Sequence, residues 1–132
     1  MHLLLELSSN YNKLSSILED ELSKRFGVSE NINSKVYEIV LEFSMSTGEF
    51  VSRFFFHHSQ EFCIHNGVMR MHLRCGINRE LVGWLFTWMT NVRIISPQKL
   101  KDLYVYMLQQ TLDRVNSNSK LRYENYFFPM SY

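Results

Sequence analysis

The residues of this chain able to do chemistry are five histidines, two cysteines and a short row of arginines. His57 and His58 are adjacent, so they point to different sides of an extended chain, and no carboxylate stands at helical spacing from either. That placement predicts bracing, with His58, Ser59 and Gln60 hydrogen-bonded to backbone at a strand edge. Cys63 has no evident His and Asp companions for nucleophilic attack. No CxxC, H-x-E or His/Cys ligand spacing occurs, so no metal, no other cofactor and no catalytic residue is expected. Arg70, His72 and Arg74 alternate along one stretch, and two guanidiniums beside an imidazole can clamp a phosphate bidentately. With His58 and Gln60 they form the candidate ligand-binding set. Glu38 and Glu42 alternate along another stretch and can neutralise those arginines instead. Trp84 and Trp88, one helical turn apart beside Leu81 and Leu85, read as core residues rather than a ligand cage.

Strands and turns must position these groups. Asn66-Gly67 sits between two alternating runs and predicts a two-residue type I′ hairpin turn. With His65 facing Val68, the pairs outward are Ile64 with Met69, Cys63 with Arg70, Phe62 with Met71, Glu61 with His72 and Gln60 with Leu73. Apolar meets apolar on one face, and Glu61 meets His72 on the other. Over residues 36–44, Tyr37, Ile39, Leu41 and Phe43 alternate with Glu38 and Glu42, the pattern of a half-buried strand. Ser46 to Glu49 has capping-box spacing ahead of Phe50, Val51, Phe54 and Phe55, which predicts a short helix. Asn78 is placed to cap a helix carrying Leu81, Trp84, Leu85 and Trp88. Val92 to Ile95 is a β-branched run, and Ser96-Pro97 reads as an N-cap and a first helical residue. The last helix has its stripe on Leu100, Leu103, Tyr104, Met107, Leu108, Thr111, Leu112 and Val115. An earlier helix runs from Asn12 to Phe26 with Gly27 as its stop, and the polar run 28–34 reads as a linker.

Leaving out the first helix, the order is strand, helix, strand, strand, helix, strand, helix. The expected fold is therefore α+β: a ferredoxin-like βαββαβ antiparallel sheet with helices on one face, plus an N-terminal linker helix and a C-terminal helix. On that plan Arg70, His72 and Arg74 share the open face with Glu38 and Glu42 of the first strand. The 132 residues, 45% of them apolar, suffice for one core and exclude a disordered chain. A net charge of +1 supplies no bulk drive toward nucleic acid or anionic lipid, so binding must be local. No apolar stretch approaches the ~18 residues needed to span a bilayer, and Leu3-Leu4-Leu5-Glu6-Leu7 is too short for a secretory segment. With two free thiols, this predicts a cytoplasmic protein without membrane contact. The chain divides into an N-terminal segment and linker helix (1–34), the sheet domain with its last helix (35–116) and an aromatic tail (117–132). Tyr123, Tyr126, Phe127, Phe128 and Tyr132 are too many aromatics for a solvated end, and they are assigned to the interface of a homodimer.

Three stretches resemble a known family, the WCX domain that forms the C-terminal extension of the WYL-domain transcriptional regulators of bacteria. Phe55-Phe56-His57-His58-Ser59-Gln60 resembles its aromatic-His-x-Ser-Gln entry to the hairpin. Residues 80–88, Glu80 to Trp88, resemble its two-tryptophan helix, and Val92 to Leu100 resembles its closing strand, proline and helix. Leu18 to Gly27 is similar to the helix joining the WYL domain to this extension. The family usually has a glycine soon after the second tryptophan; here Met89-Thr90-Asn91 stands instead, and Asn91 is expected to take the left-handed turn. The resemblance implies a non-enzymatic part in effector response and dimer contacts, with a WYL domain in cis or trans and a nucleic-acid or nucleotide effector. It does not transfer DNA binding, because neither a DNA-reading helix nor a Trp-Tyr-Leu run is present. A stand-alone interaction or inhibitor protein that binds a regulator is the alternative. An acylphosphatase-like enzyme shares the strand order, but its phosphate loop would need an arginine that residues 44–48 lack.

Overall fold

The structure, a computed structural model, describes residues 2–118. The aromatic residues Tyr123, Tyr126, Phe127, Phe128 and Tyr132 lie outside the described residues. Period-2 hydrophobicity builds the sheet first. Asn66 and Gly67 both hold positive φ, 48° and 79°, the type I′ geometry that joins β2 (Glu61–His65) to β3 (Val68–Cys75). Their register runs from His65 opposite Val68 to Glu61 opposite His72, as the alternation demanded. Strand β1 (Tyr37–Phe43) pairs antiparallel with β3, setting Glu42 opposite Arg70 and Glu38 opposite Arg74. Strand β4 (Val92–Ser96) pairs with the other side of β1, giving the order β2-β3-β1-β4.

Helix α2 (Met45–Val51) links β1 to β2, and α3 (Arg79–Trp88) links β3 to β4, so each connection skips one strand. Ile39, Leu41, Phe43, Met71, Leu73 and Cys75 point from the sheet into the core, where Leu81 and Leu85 of α3 meet them. Each such side chain contributes roughly 1.5–3 kcal/mol by leaving water. Leu100 and Leu103 of α4 (Gln98–Val115) complete the layer. The expected ferredoxin-like α+β plan holds, with helices on one face of a four-stranded antiparallel sheet. Phe26, Phe43, Phe56 and both tryptophans pack at tilted to edge-on angles with 4.7–6.3 Å between ring centres, so Trp84 and Trp88 lie half-buried against the core.

Several element boundaries differ from the sequence reading, each because a tertiary partner outweighs a local signal. Helix α1 spans His2–Ser23, starting ten residues earlier and ending three residues sooner than expected. Its stop is a set of donors from the sheet domain, described below, and Gly27 (φ 71°) serves the turn that follows. The run 28–34 is not a free connector, since the Ile32 N–H donates to the Ile77 carbonyl at 2.8 Å. Helix α2 starts at Met45 without a capping box, because Gly48 sits directly on Met69, where any Cβ would overlap the methionine's Cβ. Its N-cap Ser44 is held by Asn91 instead, through an N–H to carbonyl bond of 3.2 Å. Pro97 occupies the cap of α4 and the helix begins one residue later, at Gln98. Helix α4 also outruns the short sheet: Leu108, Leu112 and Val115, expected on the buried stripe, are 44%, 54% and 77% exposed.

The left-handed turn after α3 falls on Met89 and not on Asn91: Met89 has φ 48° and ψ −121°, a conformation suited to glycine. Met89→Gly is therefore expected to stabilise the fold by about 1 kcal/mol. A urea or thermal midpoint that does not rise in that variant contradicts this.

Candidate functional site

Two groupings of polar side chains stand out from the core. The first is the open face of the sheet. Alternation sends Glu38, Val40 and Glu42 of β1, Arg70, His72 and Arg74 of β3, and Glu61, Cys63 and His65 of β2 to the side without helices. Glu42, with a side chain only 13% exposed, receives Arg93 Nη2 at 2.7 Å on one oxygen and Arg70 Nε at 3.4 Å on the other. Burial raises the Glu42 carboxyl, but the hydrogen bonds and charges of Arg93 and Arg70 together outweigh it and hold its pKa below the ordinary value. One carboxylate thus orders two guanidiniums from the strands on either side of it. Arg74 meets Glu38 at 3.2 Å, with both side chains more than 70% exposed, a pair contributing about 0–1 kcal/mol. Glu42 pairs with Arg70 and Glu38 with Arg74, as weighed from sequence, and Glu42 takes Arg93 as a second guanidinium. Arg93 is the member that sequence reasoning missed; its place opposite Glu42 follows from the β1–β4 register, which no local pattern reveals.

The second grouping is the joint between α1 and the sheet domain. The Ser23 carbonyl at the end of α1 accepts from His57 Nε2 at 2.7 Å and from His58 Nε2 at 2.9 Å. A carbonyl only accepts, so both imidazoles carry their proton on Nε2. The Nδ1 of His57 then accepts from the Ser59 N–H at 3.1 Å, and the Ser59 hydroxyl lies 2.7 Å from it. That hydroxyl also receives the Arg74 N–H at 2.8 Å, tying the joint to β3. Gln60 uses its Oε1 to accept from the N–H groups of Phe56 (2.7 Å) and His57 (3.1 Å) and its amide to donate to the Phe54 carbonyl.

The next carbonyl, on Lys24, accepts the Gly76 N–H at 2.7 Å. Asn78 closes the joint from beneath. Fully buried, it accepts the Leu81 N–H at 3.0 Å to cap α3, and its amide donates to the Phe26 and Ser29 carbonyls at 3.0 and 3.1 Å. The cap was legible from sequence; the amide's grip on residues 26–31 was not, because it joins positions about fifty apart. Arg70, His72 and Arg74 are therefore together on one face, whereas His58 and Gln60 belong to the joint.

Among the described residues no three His, Cys, Asp or Glu side chains are grouped to hold a metal, and no helix is long and apolar enough to cross a membrane. An open depression of about 400 Å³ lies between α2 and the end of α3, with Ser46, Thr47, Phe50, Trp88 and Asn91 in its walls. None of its lining residues is ionisable, so it offers no acid or base.

Fold and site define a small ferredoxin-like α+β domain with a charge-paired open sheet and a hydrogen-bonded helical joint. The chain belongs to the WCX family: the WCX domain model matches residues 35–112, which bears out the resemblance carried by the His-x-Ser-Gln and two-tryptophan stretches. A WCX domain is a regulatory module associated with WYL regulators. No curated protein matches the chain.

Burial, and secondarily the charge of His58, lowers the His57 pKa against the bond to Ser23, so the fold holds this imidazole neutral. Its contribution is complete above the ordinary value of 6.5 and is lost as pH falls below that toward the lowered folded value. Glu42, also lowered, contributes fully above 4.5 and is lost as pH falls through its folded value. The stability difference between wild type and His57→Gln is expected to shrink as pH drops from 7 toward 5. A difference constant across that range in urea titrations contradicts the assignment.

Proposed function

We propose that this chain is the C-terminal effector-response and dimerisation module of a cytoplasmic WYL-type transcriptional regulator, acting by binding and not by catalysis. The observation that carries the reading is the joint, in which the Ser23 carbonyl ending α1 is held by His57 and His58, and the carbonyls of Lys24 and Phe26 that follow it by Gly76 and Asn78. Such a joint couples the orientation of α1 to whatever occupies the sheet domain. Leu7, Tyr11, Leu14, Ile17 and Leu18 of α1 are 54–71% exposed, which favours burial against a further domain, a WYL domain in cis or trans. Homodimerisation, with the aromatic residues Tyr123 to Tyr132 in the contact, is part of the same proposal. So is an anionic effector, nucleotide or single-stranded nucleic acid, on Arg70, His72, Arg74 and the adjoining Arg93. His58 and Gln60 would transmit such binding to α1 through the joint. The face suits it because Glu42 orders two guanidiniums while offsetting the charge of only one.

Fluorescence anisotropy of a short labelled single strand, titrated with the protein at rising salt, tests the effector. If two phosphates are neutralised, the log–log salt slope is expected near about −1.4. Arg93→Ala is expected to weaken binding severalfold, and a response flat in salt removes the anionic effector.

A further inference from the structure

Strand β2 is an edge of the sheet, and among the described residues nothing pairs with its outer side. The pair flanking a two-residue hairpin turn exchanges both hydrogen bonds, and pairs alternate from there. The backbone groups of His65, Cys63 and Glu61 therefore face β3, and the N–H and C=O groups of Phe62 and Ile64 face outward. Of the devices that shield natural edges, β2 has no lysine, proline or bulge, and its one charged group is Glu61 at its start. It carries an Ile64 that is 68% exposed, on the helix side of the sheet where no helix reaches it.

We infer that β2 pairs antiparallel with β2 of a second copy about a two-fold axis through Cys63, joining two sheets into one of eight strands. This rests on the dimerisation reading above and adds the β2 edge to its contact. Centred on Cys63, the five residues match themselves throughout. Phe62 faces Ile64 of the second copy as a hydrogen-bonded pair, and the symmetric repeat brings the total to four backbone bonds. These two apolar side chains then cover one another on the helix side. Glu61 faces His65 of the second copy on the open side, a carboxylate beside a ring that can donate to it. Cys63 faces its own counterpart as a non-hydrogen-bonded pair, whose Cα atoms lie about 4.5 Å apart. That spacing is within the range a disulfide spans. The other edge does not match itself: centred on Ile94, β4 would set Arg93 against Ile95, and its ladder is broken by an irregularity at Val40/Leu41. In the joined sheet the open faces of both copies form one surface, carrying Arg70, Arg74 and Arg93 twice.

Cys63 reports on this pairing because it is the exposed thiol, whereas Cys75 is buried with its pKa pushed up to about 12. The full chain is treated under native conditions with diamide, which is reduced to the hydrazine as two thiols lose their hydrogens and form one S–S bond. The expected product is a covalent dimer linked Cys63 to Cys63 by peptide mapping and absent in Cys63→Ser. Ile64→Pro removes one outward donor per copy while sparing the ladder to β3. By sedimentation it is expected to raise the dimer dissociation constant about tenfold or more. Glu61→Lys is expected to weaken the dimer and Glu61→Lys with His65→Glu to restore it. A dimer whose dissociation constant is unmoved by both Ile64→Pro and Glu61→Lys overturns this edge while leaving dimerisation standing. A chain monomeric at the highest soluble concentration overturns both.

Discussion

The buried amide of Asn78 is the contact on which most of the arrangement depends. Its oxygen starts α3, and its nitrogen holds the carbonyls of Phe26 and Ser29 and the side chain of Asn31. Taken alone, the helix cap is worth about 1 kcal/mol. The larger effect is positional: α3 carries the tryptophans that roof the sheet, and residues 26–31 follow directly on the end of α1, so one side chain places both. A buried amide with a missing partner costs more than the bond itself contributes, which makes alternative placements of this segment expensive.

The outer face of the sheet follows a different logic, in which charge is arranged rather than accumulated. With a net charge of only +1 over the whole chain, any selectivity for an anion must come from how guanidiniums are presented. Glu42 does this by fixing Arg70 and Arg93 from both sides while nearly withdrawn from solvent itself. Arg74 and Glu38, largely exposed, contribute little to stability.

What could be read without coordinates was whatever repeats every two residues. The hairpin register, the faces of β1 and β3 and the split connections all follow from alternation plus one Asn-Gly turn, and each residue's neighbour there is set by counting. Helix ends resisted the same treatment because their signals were overruled by distant groups. Ser46 offered a capping box, yet Gly48 against Met69 set where α2 lies. Met89 took the strained turn that Asn91 was better suited to, because Asn91 is occupied in holding Ser44. The periodicity of α4 marked a stripe correctly as apolar but carried no information on how far the sheet beneath it extends. The joint was legible only by halves: His57 stood out as a bracing residue and Asn78 as a cap, but the Ser23 and Phe26 carbonyls they hold lie 34 and 52 positions away.

Helix α1 leaves the domain with its side chains largely in solvent, held at one end by the joint. At 1.5 Å per residue its 22 residues reach about 33 Å. It is a lever whose fulcrum is the Ser23 carbonyl. A tilt of about ten degrees there would carry the far end through about 6 Å on that same rise. Mechanical advantage of this kind would turn a small change among hydrogen bonds into a displacement as large as a side chain.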